Sequence, residues 1–236
     1  MNSYRKTAIT VGILFIIATV INVLGIIGFI NPVLDAPDYL LNISANENRM
    51  IIGALLVLFS AFASASIAIW LYPVLKKQHE ALALGSVGFR VMEGMLYIVG
   101  MVGLLALLPL GQEYAKAGAS NATSFLASGT ALLAVRKWAG EFGVIAFSMG
   151  AMMYYSVFFQ SKLVPRFISG WGFLAAASSL AAALLAITGL VMPFSTVFIV
   201  LQLPIAVQEM VLAVWLIAKG FNPSAVASMS AKTAAN

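Results

Sequence analysis

Residues 85–100 read GSVGFRVMEGMLYIVG. The stretch has the composition of a helix in a hydrocarbon core, yet it carries Arg90 and Glu93. At 100° per residue, Ser86, Arg90, Glu93, Tyr97 and Gly100 fall on one arc of about 80°, and valine, leucine, isoleucine and methionine occupy most of the rest. The stretch therefore predicts a membrane-spanning helix with one polar stripe. Lipid cannot satisfy polar groups, so the stripe must face other helices.

The surrounding chain supports this. Its 236 residues are 62% hydrophobic and 9% charged, against about 25% charged in a soluble domain. Apolar runs near 20 residues recur, each able to cross a ~30 Å hydrocarbon core. Alternating ten-residue strands are absent, so helices span and a barrel does not form. The expected fold is all-α, a polytopic membrane helix bundle with spans near 7–30, 48–75, 81–109, 138–160, 168–191 and 195–219. Residues 1–220 are expected to form a single six-helix transmembrane domain. Residues 221–236, small and polar, are expected to be a disordered cytoplasmic tail.

The net charge of +5 does not indicate nucleic acid, because the basic residues lie mostly in loops beside the spans, where they set topology. Arg5, Lys6, Lys76, Lys77, Lys162, Arg166, Lys219 and Lys232 fall on one side. Arg49, Lys116, Arg136 and Lys137 fall on the other. The richer side is expected to be cytoplasmic, with both termini inside. The outer loops around 31–49 and 122–138 read either as short amphipathic helices at the interface or as loops packed on the bundle.

Depth, at 1.5 Å per residue, isolates the costly charges. Arg90 lies ~14 Å and Glu209 ~15 Å in from the cytoplasmic helix ends, and Glu93 is one turn deeper than Arg90. A charge at mid-bilayer costs about 2.5–3.5 kcal/mol on insertion scales. Other spans carry stripes as well. Ser195, Gln202 and Glu209 repeat every seven residues, with Gln208 to one side. Glu141, Ser148 and Tyr155 do the same, and Arg49, Gly53, Ser60 and Ser64 align in the second span. The candidate ligand-binding residues are therefore Arg90, Glu93, Glu209, Tyr97, Gln202, Gln208, Arg49 and Glu141. The ligand would be a small molecule, an ion or a lipid headgroup.

Two readings stay open. The stripes line a cavity that binds something, with proton-coupled transport or sensing as its extension. Alternatively, Arg90 pairs with Glu93 or with Glu209, the serines bridge helices, and the protein is an accessory or structural component with no ligand. Two deep carboxyls against one deep guanidinium leave Glu93 as the group whose neutralisation needs explaining, if Arg90 turns to Glu209.

Much chemistry is excluded. There is no cysteine, so thiolate catalysis and Fe–S clusters are absent. The single histidine, His79, lies in the loop KKQHE, which rules out a three-histidine zinc site and a buried Ser/His couple. No phosphate-binding loop or dinucleotide fingerprint occurs. No metal or cofactor is expected. Paired glutamates in principle support acid–base chemistry on a lipid, but no catalytic motif accompanies them.

The motifs ANENR (45–49), LYPVLKKQHEALALGSVGFRVMEGML (71–96), LVPRFISGWGFL (163–174) and PIAVQEMVLAVWLIAKGFNPSA (204–225) resemble a bacterial family of small integral membrane proteins. That family is known only as a domain of unknown function with about six or seven spans. The resemblance implies a multi-pass protein of the bacterial inner membrane, and it implies no activity, substrate or catalytic residue. Glu47, Arg49, Arg90, Glu93, Gln208 and Glu209 all stand inside its motifs. The resemblance also implies that relatives often carry a glutamate in the stretch where this chain has Val57, which would leave this chain one carboxylate poorer in its second span.

Overall fold

The structure, a computed structural model, describes residues 3–117, 122–193 and 195–235, with side chains as far as Met229. The side chain of Lys232 lies outside the described residues. The described residues are helical throughout apart from short connections, and no strand occurs among them. The first helix, α1 (Ser3–Val23), continues through a π-helical segment, Leu24–Ile30, into α2 (Asn31–Leu34). There follow α3 (Tyr39–Ala45), α4 (Glu47–Leu105), α5 (Leu107–Ala117), α6 (Ala122–Ser161), α7 (Arg166–Ile187), α8 (Thr196–Ala218) and α9 (Pro223–Ala235).

Five helical stretches are long and apolar enough to cross a membrane, with α4 and α5 counted as one of 71 residues. A straight helix of the 59 residues of α4 would run about 90 Å, three times the hydrocarbon thickness. It is not straight. His79 has φ −156° and ψ 94°, outside the helical region. Ser64 and Glu93, almost symmetric about His79 in sequence, are in hydrogen-bond contact. Residues 47–78 and 80–105 are thus two arms folded back on each other, and the expected six apolar helices are present. His79 itself accepts from the Leu82 backbone N–H, which starts the second arm.

The chain divides into two compact units. One comprises residues 1–17, 63–93 and 141–236, the other residues 18–62 and 94–140.

In the first unit, one end gathers the start of α1, the bend at His79, the α6–α7 turn and the end of α8. Arg5 donates to the carbonyls of Leu216 (3.2 Å), Ile217 (2.6 Å) and Ala218 (3.4 Å), neutralising the carbonyl-rich end of α8. Lys77 donates to the Tyr4 hydroxyl at 2.8 Å, and the Asn222 N–H donates to the Leu163 carbonyl at 2.8 Å. These contacts bring Arg5, Lys77, Lys162, Arg166 and Lys219 to one end, the grouping that the charge count expects for the cytoplasmic side.

Three local expectations are corrected. The fourth span starts at Ala122 rather than near 138, so Arg136 and Lys137 lie within a 40-residue helix instead of beside its end. The apolar run SFLASGTALLAV simply continues the helical period. The third-span arm stops at Leu105, and a separate helix, α5, follows it. The tail expected to be disordered forms α9. Pro223 supplies a favourable first-turn residue, Asn222 accepts from the Ser224 N–H at 3.2 Å, and alanine dominates the sequence that follows.

In the second unit, the first outer loop forms the short helices α2 and α3. Leu40 and Ile43 are fully buried with Ile30, Val33, Met50, Leu104 and Leu107. The loop is therefore packed into a core. Asp38 caps α3 by accepting from the Leu41 N–H.

Candidate functional site

Almost all of the deep polar groups fall in the first unit. Arg90 and Glu93 lie one turn apart on the second arm of α4, and both are about 97% buried or more, at 2% and 3% exposure. Arg90 Nη1 is 3.2 Å from Glu93 Oε2. From the first arm, Ser64 Oγ lies 3.0 Å from both Glu93 oxygens, a single donor shared between them. Glu93 thus has a guanidinium and a hydroxyl, the partners a carboxylate needs when water is excluded. The choice for Arg90 left open by the sequence is resolved towards Glu93 as a close partner, and Glu93 is not the unexplained charge.

The Arg90 side chain is held along its length by α6. Its guanidinium carbon stands 4.7 Å from the Phe147 ring centroid, over the ring face. Its Cγ and Cδ would lie 3.1–3.2 Å from a β-carbon at Gly150. A side chain at this position would press on the arginine stem.

One turn along α6, Tyr154 and Tyr155 are fully buried, with ring centroids 4.5 Å apart. Tyr154 packs edge-on against Phe15 of α1. Tyr154, Arg90, Glu93 and Glu209 are all buried within the same unit. Tyr155 donates to Gln208 Oε1, and Gln208 Nε2 donates to the Ile168 carbonyl of α7 at 2.9 Å. Gln208 is completely buried and bonded through both ends of its amide. A β-carbon at Gly172 would overlap the Tyr155 ring. The glycine is what allows that ring to lie against α7 and aim its hydroxyl at α8. Glu209, next to Gln208 on α8, is 8% exposed.

The remaining sequence candidates are placed as follows. Gln202 accepts from Ser179 Oγ at 2.6 Å, joining α7 to α8. Ser178 strengthens the same seam through the Leu201 carbonyl at 2.8 Å. Glu141 is buried in the first unit at 6% exposure. Arg49 and Tyr97 belong to the second unit. Arg49 is exposed and donates to the Gly28 carbonyl at 2.8 Å, pinning the π-helical segment. Tyr97 packs, half-buried, against the second unit's apolar core. The predicted arc of Ser86, Arg90, Glu93 and Tyr97 is thus shared between two units.

Sequence reasoning missed Tyr154, Phe147 and the structural need for Gly150 and Gly172. Tyr154 sits one residue from the polar stripe of α6, about 100° away from it, so seven-residue spacing selects Tyr155 alone. The adjacent pair of tyrosines inside an apolar run was the available signal.

No group of three or more histidine, cysteine, aspartate or glutamate residues that could hold a metal ion occurs among the described residues. A groove of about 370 Å³ touches Tyr155 from the other side, between α6 and α7, lined also by Phe159, Gln160, Phe173 and Leu174.

No curated protein and no solved structure matches the chain. The family model described as "Domain of unknown function (DUF4386)" matches residues 10–220. The match covers every helix that carries the cluster, and the chain belongs to that family.

Proposed function

We propose that this is a multi-pass protein of the bacterial inner membrane whose buried cluster, Arg90, Glu93 and Glu209, binds a proton and couples its occupancy to a transport or sensing step. The observation that carries the reading is the burial of Arg90, Glu93 and Glu209 in one unit, each more than nine-tenths buried, with Arg90 paired to Glu93. One guanidinium neutralises one carboxylate. A second ionised carboxyl would leave the cluster with a net negative charge, which the membrane interior penalises by about 2.5–3.5 kcal/mol or more. A proton removes that charge and needs no cavity, whereas a larger cation needs space and oxygen ligands.

The arrangement suits a switch. Ser64, Arg90, Tyr155 and Gln208 join both arms of α4, α6, α7 and α8 around the carboxyls. A change in protonation there alters hydrogen bonds on several helices at once. Reconstituted vesicles with a trapped pH-sensitive dye test the transport form. Proton movement that requires the protein and disappears in both Glu93→Gln and Glu209→Gln supports it. Wild-type protein that moves no protons under an imposed pH gradient contradicts it.

The pairing of Arg90 with Glu93 favours a second reading, a structural role in which the charges fix helix register and nothing binds. Under that reading both glutamine variants lose thermal stability, and the cluster contains no exchangeable proton.

A further inference from the structure

A cavity of about 500 Å³ opens at the basic end of the first unit, where the α6–α7 turn meets the end of α8 and the start of α9. Its walls carry three cations, Lys162, Arg166 and Lys219, and no acidic residue. Trp215 and Phe221 supply an aromatic wall, and Asn222 closes the rim. Lysines 162 and 219 are exposed.

The position of the cations is informative. Lys162 and Lys219 follow the last residues of α6 and α8, where positive charge complements the carbonyl-rich helix ends. Arg166 is the opposite case. It is the first residue of α7, a helix start that already carries partial positive charge, and no acidic residue stands in that first turn. No side chain caps this start. Three basic residues and an uncapped helix start therefore line one cavity with no acidic residue among its walls, and the Arg166 guanidinium rests over the Phe159 ring, 5.3 Å from its centroid. Lys162 is further held in the left-handed region, φ 56°, which a residue other than glycine adopts at a cost of ~1 kcal/mol or more. The hydrogen bond from Asn222 N–H to the Leu163 carbonyl fixes the two walls together.

We infer that this cavity binds a phosphate-bearing anion, with the phosphate among Lys162, Arg166 and Lys219 and the attached group against Trp215 and Phe221. This chemistry fits the phosphate of an anionic lipid headgroup, and also a free phosphate or a small phosphorylated solute. The site is separate from the Arg90 cluster and stands whether or not that cluster binds a proton.

Full-length protein in phosphatidylcholine nanodiscs, with and without phosphatidylglycerol, tests the inference through thermal unfolding and through lipid retained in native mass spectrometry. Inorganic phosphate added to the phosphatidylcholine sample is the second arm. We expect phosphatidylglycerol to raise Tm and to be retained on the protein. The K162Q/R166Q/K219Q variant should bind it about a hundredfold more weakly, because juxtamembrane cations each contribute appreciably to anionic lipid affinity. The K76Q/K77Q variant, with the same kind of charge loss nearby, should keep the effect. Stabilisation by phosphate alone, lost in the triple variant, assigns the site to a soluble phosphate source and also supports the inference. No response to either anion, or an equal response in the triple variant, overturns it.

Discussion

Arg90 and Glu93 form an ion pair within a single helix, with Nη1 3.2 Å from Oε2, and both are nearly inaccessible to solvent. Ser64 ties that pair to the facing arm. Removing one member leaves the other charged and buried, which costs about 3–5 kcal/mol in comparable sites. Arg90→Gln should therefore lower the unfolding temperature in detergent sharply. Combining it with Glu93→Gln should restore much of the loss, because the two amides hydrogen-bond as neutral groups. Strictly additive losses in the double variant would show that the two side chains do not act as a pair.

The contact of Tyr155 with Gln208 predicts a different kind of coupling. Gly172→Ala forces a β-carbon into the Tyr155 ring, and overpacking of this sort costs about 1–3 kcal/mol. In a Tyr155→Ala background the same substitution should cost little. Thermal unfolding of the two single variants and the double variant measures this. A Gly172→Ala effect that is unchanged in the Tyr155→Ala background would place the clash elsewhere.

Topology is directly testable, because the chain has no native cysteine. Single cysteines at Lys77 or Lys162 should react with an impermeant maleimide only after the membrane is opened. A cysteine at Lys116 should react while the membrane is intact. The reverse labelling pattern would invert the orientation derived from the basic residues.

The helices were legible from sequence because hydrophobic length is a strong, local signal. The polar stripe at Arg90 and Glu93 was equally legible, since the cost of a buried charge leaves little choice about which way it faces. What sequence could not decide was partner choice. Helix depth made Glu209 as good a match for Arg90 as Glu93, and only the packing of Phe147 and Gly150 against the arginine stem shows where its guanidinium rests. The same limit explains Arg49 and Tyr97. Their spacing aligned them with the deep stripe, but alignment along one helix says nothing of which neighbours each end meets. The helical tail at Pro223–Ala235 is illegible from composition alone, because its small polar residues mask the alanine content and the Asn222 cap that favour a helix.

The central claim is that the cluster of Arg90, Glu93 and Glu209 holds a proton at neutral pH. Infrared spectroscopy of the reconstituted protein reads this directly through the carbonyl stretch of a protonated carboxyl group in an apolar setting. The account predicts that the wild type shows such a band at neutral pH, that the band shifts on hydrogen–deuterium exchange, and that one of the two variants, Glu93→Gln or Glu209→Gln, abolishes it. A wild-type spectrum without a protonated-carboxyl band, or a band that survives in both variants, would contradict it.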